Sequence, residues 1–313
     1  MRSLPAVRCT PARPFLHSGV DYAGPINIRT SKCRGHHAYK GYICVFVCMV
    51  TRAIHLEAVS DLSTQGFLSA FRRFVSRRGY CSQIWSDNGT NFVGAARELN
   101  ELKSIQQSVA EQVEAEGTQW HFIPPHAPHF GGLWEAAVKS AKHHLKRVIG
   151  DSTLIFEEII TLLYQIEACL NSRPMTIIND DLSDPMPLTP GHFLIGEPLI
   201  SIPDDNYEHT YISSLTRWQL VQKMTQNFWR RCSQEYLSNL LHRYKWTYQV
   251  PESNIGDVVL VKENDLPPCR WLLGRIIEKH PGPDQITRIV ILRTKSSIVK
   301  RPTSKICVLP IST

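Results

Sequence analysis

The chain has 313 residues, 42% of them apolar and 20% charged, with nine cysteines and a formal net charge of +7. This is the composition of a globular protein with one large or two moderate domains, which excludes a disordered or low-complexity chain. No apolar run reaches membrane-spanning length, the longest being Tyr42 to Val50, and the first fifteen residues lack the apolar core of a signal peptide, so neither a membrane nor secretion is expected.

The opening residues, 1–14, carry prolines and arginines without periodicity and read as a tether. Three strands follow at Phe15–Ile26, Tyr42–Val50 and Ala53–Val59, rich in Val, Ile and aromatics and broken by Gly, Pro and polar turns. Thr64–Arg78 spaces Phe67, Leu68, Phe71, Phe74 and Val75 as an amphipathic helix, and its Arg72, Arg73, Arg77 and Arg78 read as a solvated face. A short strand, Ser82–Ser86, ends at the turn signal Asp87-Asn88-Gly89. A helix is predicted over Ala95–Glu116, stopped by Gly117, then a strand over Gln119–Ile123 and a Pro/Gly/His loop, Pro124–Gly132. Helices over Leu133–Val148 and Phe156–Leu170 complete a mixed α/β layer pattern.

The Pro-rich stretch Arg173–Pro203 reads as an extended connector, and Ser214–His242 as helical. From Gly256 onward the pattern becomes short strands, DVVLV, WLLGRIIEKH, TRIVILRT and KICVLP, which suggest a small all-β barrel. The predicted organisation is therefore a tether (1–14), an α/β core with connector (15–204), a helical linker (205–255) and a barrel (256–313). From Arg217 to the end there are 16 Lys/Arg against 7 Asp/Glu, while the first 216 residues hold 19 against 21. A nearly neutral body with a basic tail points to a polyanion.

An odd, scattered set of cysteines is not a disulfide framework. Cys44 and Cys48 fall on one face of an apolar strand, where two small buried hydrophobes are the simpler reading. No CxxC pair with partner histidines is present, so no zinc is expected.

Three carboxylates stand where chemistry explains them better than packing. Asp21 interrupts an apolar strand, Asp87 ends another, and Glu135 lies in the first turn of a helix. Singly, each has an ordinary role: a loop acceptor, a turn opener, a favourable charge at a helix N-terminus. Brought together, they suit a pair of hard divalent cations that would stabilise an in-line phosphoryl displacement.

The segments PFLHSGVDYAGPI, IWSDNGTNFVGAARELN, HFIPPHAPHFGGLWEAAVKSAKHHLK and ACLNSRPMT…LTPGHFLIGEPL resemble the integrase of Pao/BEL-type long-terminal-repeat retrotransposons, within the retroviral integrase superfamily. The downstream GDVVLV…WLLGRI…HPG…R…LRT…RP resembles that group's C-terminal domain, so the resemblance runs from about Leu4 to Pro310. It implies an RNase H-like core with a mixed five-stranded sheet, followed by a small barrel of the Src-homology-3 type. It also implies a catalytic, metal-binding triad of Asp21, Asp87 and Glu135 using two Mg²⁺ or Mn²⁺ ions. The implied activity is DNA 3′-end processing and strand transfer, in the nucleus, by a homo-oligomer assembled on DNA. The chain departs from the retroviral pattern in the 47 residues between Asp87 and Glu135, an insertion that the helix and loop in between can absorb. It also begins just after the place of the family's His/His/Cys/Cys zinc domain.

Lys139 and Lys142 lie four and seven positions beyond Glu135, on its own helix face, and Lys146 extends the stripe. Such a row suits a phosphate backbone, although Glu135–Lys139 would also serve as an ordinary helix ion pair. Asn88, Gly89, His126 and His129 are expected to border the same cleft. In the tail, Arg270, Arg275 and Lys279, with Arg288 and Arg293, mix with Trp271, itself better suited to a barrel core. Two other readings remain: a DNA-binding protein that keeps the fold without turnover, and a ribonuclease on RNA–DNA hybrids, which leaves the basic tail unexplained.

Overall fold

In the computed structural model, residues 10–32, 35, 37–109, 117–123, 132–178, 185–240, 253–263, 266–284 and 286–309 are described, with backbone alone for 102–109 and 132–138. The chain divides into two compact units, Met1–Glu167 with Thr210–Met224, and Ala168–His209 with Thr225–Thr313.

The first unit is built on one mixed sheet. Strands β1 (His17–Arg29), β2 (Ala38–Cys48) and β3 (Ile54–Val59) form an antiparallel meander. Strands β4 (Gln83–Ser86) and β5 (Gln119–Phe122) add in parallel on the other side of β1, giving the order β3-β2-β1-β4-β5. A two-residue strand, β6 (Leu154–Ile155), pairs with the far end of β1. With helices against it, this is the RNase H-like α/β arrangement. The β1–β2 register shifts between Ala23 and Ile26, where Gly24 has φ +134° and Pro25 has no amide hydrogen to donate. Cys44 and Cys48 are both buried and reduced on β2.

Helix α1 (Thr64–Arg78) begins where Ser63 Oγ accepts the Gly66 N–H at 2.9 Å and ends at Gly79, whose φ of +83° suits a residue without Cβ. Its apolar stripe, Phe67, Leu68, Phe71 and Phe74, is buried as the spacing predicts, with Phe74 stacked on Phe46 of β2 at 4.2 Å between centroids. Helix α2 (Thr90–Val109) starts five residues before its expected position, immediately after the Asp87–Gly89 turn. Hydrophobic spacing marks the buried face of a helix, not its first turn, which explains the difference. Helix α3 (Gly132–Ile149) follows, and α4 (Phe156–Asn171) has Glu157 and Glu158 in its first turn, where they favour the positive end of the helix dipole.

The Arg cluster of α1 is not simply a solvated face. Arg73 and Arg77 donate to Glu57, Arg78 pairs with Glu167, and the His55 ring lies 3.0 Å from Glu57. His55, Glu57 and Glu167 are all buried. The strand AIHLEAV put the His55–Glu57 pair on one face of β3, and three arginines neutralise what that face buries.

The second unit holds the Pro-rich stretch and the tail. Residues read as an extended connector contain a hairpin, β7 (Thr176–Ile177) with β8 (Pro187–Leu188), and a short helix, α5 (Pro190–Ile195), closed by Gly196 at φ +81°. Helix α6 (Arg217–Leu240) contributes residues to both units. The tail is a five-stranded antiparallel sheet, β12-β11-β10-β9-β13, made of β9 (Val258–Val261), β10 (Leu272–Pro281), β11 (Thr287–Arg293), β12 (Ile298–Pro302) and β13 (Ile306–Val308). Strand β12, IVKRP, is absent from the sequence reading because only two of its five residues are aliphatic and its burial never exceeds intermediate. All four residues of β9 are buried: Val259 and Val261 pack with Ile276, Val290, Leu292 and Ile306, while Val258 and Leu260 pack with Leu237, Cys307 and Leu309. Two cores therefore share one strand, and a continuous apolar run is what that position demands.

Candidate active site

The β1–β4 register pairs His17 with Gln83, Ser18 with Ile84 and Gly19 with Trp85. Asp21 and Asp87 each come two residues after the Gly19–Trp85 pair, Asp21 within β1 and Asp87 just beyond the end of β4. Adjacent strands lie about 4.8 Å apart, so the backbones that carry these two carboxylates, distant in sequence, run close together where β4 ends. The other side chains follow the alternation: Tyr22 turns to the opposite face, where its ring stacks on Phe92 of α2 at 5.3 Å. Burial holds the Tyr22 phenol far above its ordinary range, so it stays neutral and anchors the strand beside Asp21.

Asp21 is partly exposed, and its Oδ1 accepts the Tyr22 N–H at 2.6 Å. Its Oδ2 accepts from Lys142 Nζ, also at 2.6 Å. Lys142 lies on α3, which packs against β1 and β2. Glu135 is on the same helix two turns earlier, and seven residues at 1.5 Å each put its backbone about 10 Å back along the axis. The Glu135 side chain lies outside the described residues.

Asp87 is exposed directly after β4, with its Oδ1 accepting the Gly89 N–H at 3.0 Å in an Asx turn that leads into α2. Asn88 Nδ2 donates to Ile123 O at 2.9 Å, which ties this turn to the end of β5. A Cβ at Gly89 would stand 2.7 Å from Asn91 Oδ1 and 3.1 Å from Asp87 Oδ1, so a side chain there would push these groups aside. Beneath the turn, Trp120 Nε1 donates to Ser86 Oγ at 2.8 Å and Ser86 Oγ donates to Asp87 O at 2.8 Å.

Carboxylate oxygens are the donors that hard divalent ions prefer, and Asp21 already holds a positive group at 2.6 Å. Asp21 and Asp87 are thus donors of the kind a divalent cation takes. Among the described residues no group of three or more His, Cys, Asp or Glu side chains is gathered for a metal.

The expected DNA-contacting residues fall into different situations. Lys139 and Lys146 are exposed on α3, whereas Lys142 is engaged with Asp21. His126 and His129 lie outside the described residues. Arg270 is exposed and Lys279 half-buried. Arg275 departs from its expected role: it is 7% exposed, and its Nη1 donates to Gly256 O at 2.9 Å. Its guanidinium fastens the backbone where the chain enters the tail sheet instead of facing solvent. Trp271 packs edge-on against Trp229 and Tyr236, as a core residue does. The engagement of Lys142 with Asp21 was not readable from the sequence, since helix periodicity fixes which residues share a face and not what that face meets.

A family model described as "Family of unknown function (DUF5641)" matches residues 216–309. Among curated proteins none matches. Among solved structures, the chain is similar to a component of the simian T-cell lymphotropic virus intasome in complex with PP2A regulatory subunit B56 gamma, at 12% identity and a TM-score of 0.36, covering 95% of this chain and 80% of that one. It is also similar to the HTLV-2 integrase catalytic core domain in complex with magnesium, in its dimeric form, at 18% identity and a TM-score of 0.29, covering 45% of this chain and 76% of that one. Both likenesses are remote, and the fold of the first unit is defined by its own sheet order.

Proposed function

We propose that the chain is a retroelement integrase of the Pao/BEL type, which trims DNA 3′ ends and joins them to target DNA by in-line phosphoryl transfer. The observation that supports this reading is the parallel β1–β4 pairing up to Gly19 and Trp85, with Asp21 and Asp87 each two residues further on and the Lys142 ammonium drawn to Asp21. Asp21 and Asp87, with Glu135 as the third carboxylate, would hold Mg²⁺ or Mn²⁺. Bound there, the ions would supply Lewis-acid stabilisation of the attacking and leaving oxygens.

The chain's own groups do the rest. The Asx turn at Asp87 and the Asn88–Ile123 hydrogen bond fix the second carboxylate, and the bare Gly89 lets a sugar-phosphate backbone approach it. Lys139 and Lys146 offer charge to that backbone, and Lys142 joins them when it leaves Asp21. In the second unit, the exposed Arg270 and half-buried Lys279 offer further charge to DNA. Assembly into a homo-oligomer on DNA, and action in the nucleus, belong to the same reading.

A second reading, DNA binding without turnover, draws on the same contact: a lysine seated on Asp21 occupies a place that a metal would need. Incubating purified protein with a matching terminal-repeat oligonucleotide, with and without Mg²⁺ or Mn²⁺, separates the two. Ion-dependent processed and joined products are expected. DNA retention with no product under either ion would leave only the second reading.

A further inference from the structure

Cys169 and Cys269 are a hundred residues apart in sequence, yet their sulfurs lie 3.9 Å apart and both side chains are buried and reduced. Cys169 is in the last turn of α4, and Cys269 sits in the tight turn before β10 at φ +62°, in the left-handed region. The surrounding frame holds them there. Trp271 Nε1 donates to Ser172 Oγ at 3.2 Å, and Ser172 Oγ donates to Cys169 O at 2.9 Å. On the other side of Cys269, Trp229 Nε1 donates to Leu266 O at 2.9 Å and Ser201 Oγ donates to Pro268 O at 2.6 Å. The turn bearing Cys269 is thus pinned before and after the thiol, and the proposed DNA chemistry uses neither cysteine.

We propose that Cys169 and Cys269 form a peroxide-sensitive dithiol that closes to a disulfide inside the second unit. A disulfide needs sulfurs about 2.05 Å apart, so closure asks for a movement of roughly 1.9 Å, within reach of side-chain rotation and a small shift of the turn. The two thiols are not equivalent. The hydrogen bond shared with Cys169, helped by Ser172 and Arg270, outweighs burial and holds the Cys269 thiol below its ordinary range, while the same bond and burial hold Cys169 well above. Cys269 is therefore the attacking sulfur and Cys169 the resolving one. As thiolate, Cys269 attacks one oxygen of hydrogen peroxide, breaking the O–O bond to give a sulfenic acid and hydroxide. The Cys169 sulfur then attacks the sulfenic sulfur, forming the S–S bond and expelling hydroxide, which takes up the thiol proton as water. The two thiols lose two electrons and two protons, and one peroxide becomes two waters.

Cys232 is the internal control: it is half-buried, with burial pushing its thiol up to about 12, but its sulfur shares no hydrogen bond with either partner among the described residues. The test is peptide mapping of the full chain after peroxide treatment and alkylation. The expected result is a Cys169–Cys269 cross-linked peptide, a mass lower by two hydrogens, and full reversal by dithiothreitol. C169S and C269S should each abolish the cross-link, while C232S keeps it. Because the wild-type map needs no variant to fold, it decides alone. Recovery of Cys169 and Cys269 as separately alkylated peptides, after other cysteines of the chain have been oxidised, would overturn the proposal.

Discussion

Lys142 Nζ stands 2.6 Å from Asp21 Oδ2, so the cation expected to receive DNA is bonded to the carboxylate expected to receive metal. Both side chains keep partial exposure, 33% and 26%, so the pair sits in the range where an ion pair contributes about 0.2–1 kcal/mol. Metal and lysine compete for one oxygen. Replacing Lys142 with Met should therefore tighten Mn²⁺ binding by up to about fivefold, the upper end of that energy, while DNA affinity falls. Calorimetric titration of Mn²⁺ into both proteins without DNA checks this. Equal ion affinities would mean that Lys142 and the metal do not share Asp21.

Asp87 offers a cleaner separation of binding from chemistry, because it is exposed and its removal leaves no buried charge. Asp87→Asn keeps an oxygen for the Gly89 N–H and so preserves the turn. It should abolish ion-dependent joining, by at least about 100-fold, with DNA affinity nearly unchanged. Joining that persists in this variant would remove Asp87 from the mechanism.

Gly89→Ala tests the same corner by crowding. The added carbon would come within 3.1 Å of Asp87 Oδ1 and 2.7 Å of Asn91 Oδ1. The protein should fold, since the turn is at the surface, but lose activity by about tenfold through displacement of the carboxylate. A variant with wild-type turnover would show that the turn yields without moving Asp87.

The sheet and the helix faces were legible in the sequence because burial writes its period directly: Phe67, Phe71 and Phe74 mark one stripe, and β9 is apolar throughout because both of its faces are covered. The start of α2 was not, since the turn that launches it is held by Asp87 Oδ1 and the Gly89 amide, a local hydrogen bond with no periodic signature. Of the candidate site, the residue types could be chosen from the chain. The approach of Asp21 toward Asp87 depends on two strands separated by two others and a helix, and only the β1–β4 pairing supplies it. Arg275 illustrates the converse: a basic residue on a tail strand looks like a DNA contact until its partner, Gly256 O, is known.

The buried charges of β3 make stability depend on acidity. Burial alone would raise the Glu57 carboxyl, but hydrogen bonds from His55 and Arg73 prevail and hold it below its ordinary range. Glu167 behaves alike, with burial outweighed by His55, Arg78 and the Leu56 amide. A carboxyl whose folded value is depressed binds protons more readily when unfolded. Its contribution is therefore complete above the unfolded value, near 4.5, and is lost as pH falls through the lower folded value. Urea midpoints should be flat near neutrality and fall steeply below about pH 4.5. Glu57→Gln should cost about 1–3 kcal/mol at pH 7 and soften the acid fall. An E57Q midpoint curve parallel to wild type through that window would show that Glu57 does not couple folding to protons.

The tail separates residues that touch DNA from residues that hold the barrel. Arg270 is exposed, so Arg270→Ala should leave the melting temperature in place and lower the slope of log affinity against log salt by about 0.9, the value for one phosphate contact. Arg275 lies on β10, five residues further on, and is buried, donating to Gly256 O where the chain enters the sheet. Arg275→Ala should lower the melting temperature by several degrees, consistent with about 1–3 kcal/mol for removing a buried side chain and the hydrogen bond it makes to Gly256 O. At temperatures where that variant is folded, its salt slope should match wild type, because the lost charge never faced the phosphates. A reduced slope in Arg275→Ala, with no change in Arg270→Ala, would reverse the two roles and place the DNA path on the buried side of β10.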